Sequence, residues 1–181
     1  MNPLRILLAL IAVVVIYVIM LYNTIVRLRT TRENAFSDID VQMKLRFDLV
    51  DNLVNTVKGY AKHEKETLND VIEARNKFTS AKNMQDKADA DSMLSGALKS
   101  IFALAESYPD LKANQNFLQL QTELSDIENK IAAARRFFNS ATKEYNTTIQ
   151  QFPANVIFAG KKPEAYFEGE ENIKKAPKVE F

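Results

Sequence analysis

The 181-residue chain has no cysteine. That excludes disulfides, thiolate metal sites and a cysteine nucleophile, and leaves the redox compartment open. It has one histidine, His63, so a catalytic zinc site lacks its customary ligands. His63-Glu64-Lys65-Glu66-Thr67 begins like a zinc-protease motif, but Thr67 stands where the second ligand must be. His63 therefore reads as a solvated turn residue. A carboxylate-bridged di-iron bundle needs paired Glu-x-x-His motifs on facing helices, which one histidine cannot supply. No Gly-rich phosphate loop or nucleophile elbow occurs either. No cofactor, no metal and no enzymatic activity are expected.

Charge of one sign is lacking too. Lys and Arg total 24 against 23 Asp and Glu, so a net charge of +1 gives no reason to expect nucleic acid as a partner. Only four Gly and five Pro occur. Both are costly inside a helix, so their scarcity fits long helices and few loops.

What is present begins with Ile6 to Tyr22, which reads ILLALIAVVVIYVIMLY without a charge. This is near the lower limit of about 17 residues for crossing a hydrocarbon core of about 30 Å, and Leu4 and Ile25 can extend it. The run exceeds the apolar region of a signal peptide, and no small-x-small cleavage site follows, so an uncleaved anchor is expected. Tyr22 suits the interfacial level; Tyr17 lies too deep for it. Arg5 precedes the span, whereas Arg27, Arg29 and Arg32 follow it, with Lys44 and Arg46 further on. That excess predicts an outside amino terminus and a cytoplasmic main domain.

Beyond the span the pattern stays helical. Phe36, Ile39, Met43, Phe47, Val50, Val54 and Val57 step by three and four, which puts them on one stripe. Nothing between Tyr22 and Phe36 breaks a helix, so the span is expected to continue to about Lys58, with Gly59 as its stop. A second segment carries Leu68, Val71, Arg75 and Phe78. A third, entered through Asp86, Asp89 and Asp91, shows Leu94, Leu98, Ile101, Ala105 and Tyr108, and Pro109 then breaks the chain. In the last helix Phe117, Leu120, Leu124, Ile127, Ile131, Ala134, Phe138, Ala141 and Tyr145 alternate steps of three and four. An average of about 3.5 residues predicts left-handed, coiled-coil-like packing. The fold class expected is all-α: an N-terminal transmembrane helix continuing into an antiparallel four-helix bundle. The expected division is residues 1–25 for the N-terminal segment and span, 26–152 for the bundle and 153–181 for an irregular tail. Either Tyr166 and Phe167 dock that tail onto the bundle or the tail is disordered.

Arg75 falls on the apolar stripe of the second segment. A charge there must find a partner, and Asp48, Asp51 and Glu123 are candidates. Arg75 is thus either a buried or half-buried register-fixing residue or a ligand-binding arginine. Arg135-Arg136 reads as part of a solvated face.

The same residues resemble the bacterial LemA family. The likeness runs through Arg32-Glu33-Asn34-Ala35-Phe36-Ser37-Asp38-Ile39-Asp40 and Val57-Lys58-Gly59-Tyr60-Ala61-Lys62-His63-Glu64-Lys65-Glu66-Thr67-Leu68. It continues in Ala105-Glu106-Ser107-Tyr108-Pro109-Asp110-Leu111-Lys112-Ala113-Asn114, Ile131-Ala132-Ala133-Ala134-Arg135-Arg136 and Tyr166-Phe167-Glu168. Two departures stand out: Asp51 where the family usually has proline, and a shorter stretch after Phe152-Pro153. The resemblance implies a single-pass inner-membrane protein with an antiparallel helical bundle and no established catalytic function. Related domains in proteins of magnetosome membranes point to membrane organisation. The function expected is a scaffold or adaptor whose partners are the lipid bilayer and other membrane or envelope proteins, or itself. The alternative is a membrane-tethered sensor that binds a small ligand or ion within the bundle near Arg75.

Overall fold

A computed structural model describes residues 2–167, and every regular element among them is helical. In chain order these are α1 (Pro3–Tyr60), α2 (Lys65–Ser80), α3 (Met84–Ala105), α4 (Pro109–Lys112), α5 (Gln115–Gln150) and α6 (Ala154–Ile157). Their limits follow from local chemistry. Pro3 opens α1, where its missing N–H removes nothing the helix would use. No Gly or Pro follows until Gly59, next to the last residue of α1. The helix runs unbroken through Asp51, the position at which the resembled family carries proline. Asn83 caps α3 by accepting from the Asp86 N–H at 2.9 Å, and Asp86 accepts in return from Asn83 Nδ2 at 2.9 Å. Asn114 caps α5 in the same way through the Phe117 N–H at 3.0 Å.

The chain forms two compact units. One comprises the residues up to Asp38 with Ala134–Tyr166; the other comprises Ile39–Ala133 with Phe167.

In the second unit the cross-helix contacts define the topology. Arg46 meets Asp91, and Asp40 meets Lys87, so numbers rise together and α3 runs parallel to α1. Phe47 meets Phe78 while Asp51 meets Arg75, so α2 is antiparallel to α1. Arg46 with Glu128, and Tyr60 with Asn114, make α5 antiparallel as well. Short turns between α1, α2 and α3 leave the chain no other way to bury its stripes than up, down, up, down. Val50, Leu53, Val57, Val71, Leu94, Ile101 and Leu111 are among the core residues. Phe47 and Phe78 stack with centroids 4.2 Å and planes 13° apart, worth about 0.5–1.5 kcal/mol beyond the area they bury.

In the first unit α1 and α5 are antiparallel. Ile25, Leu28, Tyr145, Ile149 and Ala154 form its core, and Phe36 lies 5.9 Å from Phe138. The chain beyond α5 is not merely irregular. It forms α6 and then lays an extended segment back on the unit: Asn146 Nδ2 donates to the Glu164 carbonyl at 2.9 Å, and the Glu164 N–H donates to Asn146 Oδ1 at 2.8 Å. Of the two expected docking residues, Phe167 is buried and Tyr166 is exposed. Glu168 and Ala176-Pro177 lie outside the described residues.

Candidate functional site

The Ile6–Tyr22 run occupies the start of α1 and is exposed on all sides, with only Val18 and Leu21 half-buried. α1 is long and apolar enough to cross a membrane, and none of its apolar window is buried. A helix that is apolar all round has no water-facing side, which distinguishes it from the one-sided stripe that follows. Thr24 and Thr30, just past the run, donate their hydroxyls to the Met20 and Val26 carbonyls at 2.9 and 3.1 Å, so these polar groups are satisfied within the helix itself.

The three arginines after the span differ in setting. Arg27 is exposed, and Arg29 pairs along the helix with Glu33 at 2.9 Å. Arg32 is a hub. Its Nε donates to Thr142 Oγ1 at 3.1 Å, its Nη2 donates to the Ala165 carbonyl at 3.1 Å, and its Nη1 lies 3.4 Å from Glu164 Oε2. The guanidinium also covers the Phe138 ring at 4.9 Å. Besides adding positive charge after the span, Arg32 holds the returning segment in place.

Arg75 is not buried. Its side chain is 41% exposed and pairs with Asp51, 52% exposed, at 2.8 Å. The buried stripe of α2 is Leu68, Val71 and Ala74. Arg75 lies one residue, about 100° of helix rotation, past Ala74 and reaches outward along α1. The buried charge is Arg46 instead, only 4% exposed, with Asp91 at 1%. Arg46 Nη1 donates to Asp91 Oδ1 at 2.8 Å. Glu128 Oε2 comes within 2.7 Å of the same nitrogen, close enough for charge attraction but off hydrogen-bond geometry. The sequence carried a signal for this: Arg46 sits three residues after Met43 and four before Val50, on the stripe itself. Asp91, read with Asp86 and Asp89 as a helix-start residue, lies three before Leu94 on its own stripe.

Where α1 ends and α5 begins, an open polar cleft of about 620 Å³ is lined by Tyr60, Asp110, Ala113, Asn114, Gln115 and Asn116. Arg75 is not among its walls. Asn114 Nδ2 donates to Tyr60 Oη at 2.9 Å, and nearby Tyr108 Oη donates to Glu64 Oε1 at 3.0 Å. That hydrogen bond, then burial, then the carboxylate's charge hold the Tyr108 phenol above its ordinary pKa. His63 is exposed in the turn between α1 and α2. Among the described residues no group of His, Cys, Asp and Glu is placed to hold a metal ion.

The LemA family pattern matches residues 35–181. The chain is 31% identical over 140 residues to protein LemA of Metamycoplasma hominis, covering 75% of this chain and 62% of that protein. It is 25% identical over 178 residues to magnetosome protein MamQ 2 of Paramagnetospirillum magneticum, covering 83% of this chain and 65% of that protein. The chain thus spans less than two thirds of the length of both relatives.

Proposed function

The chain belongs to the LemA family, and from that premise we propose that it is a membrane-anchored scaffold or adaptor without enzymatic activity. The observation that carries this reading is the change of character within α1. The first part is apolar and exposed on every side; the part from Ile39 onward contributes a one-sided stripe to a bundle core. Anchor and bundle share one helix, so the bundle is confined to the membrane surface. Confinement raises the effective concentration of partners in the same membrane, so weak contacts suffice. The partners are other membrane or envelope proteins, or a second copy of the chain. Likeness to a magnetosome protein supports a role in organising a membrane compartment. The membrane is the bacterial inner membrane, with the amino terminus outside and the bundle in the cytoplasm. Supporting this, Arg27, Arg29 and Arg32 follow the span, and only Arg5 precedes it.

Crosslinking in intact cells at native expression, followed by solubilisation and identification of neighbours, tests the reading. Reproducible membrane-protein or self crosslinks are expected. A chain recovered uncrosslinked and monomeric overturns the scaffold role.

A further inference from the structure

Past the end of α5 the chain returns exposed apolar side chains to the level at which the apolar run of α1 ends. It turns through Gln151–Pro153 and forms α6, and the Phe158 ring then lies 6.1 Å from that of Tyr22, the last residue of the apolar run. Phe158 also packs on Ile25, Leu28, Tyr145, Ile149 and Ala154, so the position of this elbow along α1 is fixed by a buried cluster. The opposite side of the elbow is bare. Phe152 is 83% exposed, Val156 67% and Ile157 40%. Three exposed apolar side chains thus lie within six residues of a ring seated against the end of the apolar run. Along the flanking stretches of sequence the charge is of one sign. No Asp or Glu occurs before Glu33, nor between Glu144 and Glu164, whereas Arg27, Arg29, Lys161 and Lys162 lie in those stretches. Aromatic and apolar side chains beside cations, at the height where a span emerges, have the composition of the headgroup boundary.

We propose that the elbow from Phe152 to Ile157 is an interfacial membrane anchor, its exposed apolar side chains entering the boundary between lipid headgroups and acyl chains beside the α1 span. The inference rests on reading Ile6–Tyr22 as that span. A second point of attachment fixes the rotation of α1 about its axis where it leaves the bilayer, because interfacial anchors set tilt and rotation. It also holds the carboxyl end of α5 at the membrane surface.

The chain has no tryptophan, so single reporters are unambiguous. The full chain is placed in phosphatidylcholine–phosphatidylglycerol vesicles carrying lipids brominated at shallow or deep acyl positions. Phe152→Trp and Val156→Trp are each measured, with Val14→Trp as the span control. Phe137→Trp, at an exposed site on α5, is the water-side control. Blue-shifted emission quenched most by shallow bromines is expected for both elbow reporters, deep quenching for Val14→Trp and none for Phe137→Trp. Elbow emission like that of Phe137→Trp, with Val14→Trp still quenched, overturns this inference and leaves the span intact. Elbow reporters that are blue-shifted yet unquenched show protein rather than lipid covering the patch, and also overturn it. An unquenched Val14→Trp overturns the span reading and this inference together.

Discussion

Asp91→Ala removes the carboxylate 2.8 Å from Arg46 Nη1 and takes from a guanidinium only 4% exposed its hydrogen-bonded partner. Breaking a buried pair from one side costs about 3–5 kcal/mol, because the remaining charge keeps its desolvation penalty without its attraction. Glu128 Oε2, buried 2.7 Å from the same nitrogen, remains as a charge partner and puts the loss toward the lower end of that range. In a chain of this size each kcal/mol moves Tm by about 2–4 °C, so Asp91→Ala should lower Tm by about 6–20 °C. Arg75→Ala provides the contrast. Its pair with Asp51 is half-exposed on both sides, worth about 0–1 kcal/mol, and its loss should move Tm by less than about 4 °C. The double replacement Arg46→Met with Asp91→Leu removes both buried charges, leaves only the half-exposed Glu128 to turn to water, and should recover most of the lost stability. Far-UV circular dichroism of the full chain in one detergent, melted and separately titrated with urea, measures all three. The reasoning is refuted if Asp91→Ala and Arg75→Ala shift Tm by the same small amount, or if the double variant is no more stable than Asp91→Ala.

Three further outcomes are expected. Asn146→Leu leaves the Glu164 N–H and carbonyl without their partner, a loss of about 1–3 kcal/mol. It should make trypsin cut faster after Lys161 without lowering helix content, and an unchanged cleavage rate counts against the clasp. The raised pKa of Tyr108 means its neutral hydroxyl contributes stability that is complete below the free phenol value of 10.0 and is lost as pH rises through the higher folded value. Tyr108→Phe should therefore remove an alkaline arm from the stability profile, read by melts across alkaline pH, and Glu64→Gln should return the phenol titration toward its ordinary range, read by tyrosinate absorbance. For orientation, the native chain has no thiol, so Asn2→Cys should label from outside intact cells and Lys130→Cys only after permeabilisation. The reverse pattern inverts the topology.

The amino-acid order alone determined the long apolar run, the helices and most of the core. An uncharged apolar run, the scarcity of Gly and Pro, and apolar residues stepping by three and four are local signals. Ile39, Met43, Val50, Leu94, Ile101, Phe117, Ile131 and Phe138 all proved buried where their stripes placed them. Pro109 and Gly59 marked breaks for equally local reasons. Only the tertiary structure decided which charge is buried. Arg46 and Arg75 both adjoin apolar stripes, and each one's fate depends on what stands at its level on the neighbouring helix. Asp91 faces Arg46 from inside the bundle, whereas Asp51 meets Arg75 at its rim. The same holds for the segment after α5. An irregular segment held by an asparagine amide and an arginine fork has no periodicity of its own, so its docking on Asn146 and Arg32 emerges only once α1 and α5 lie side by side.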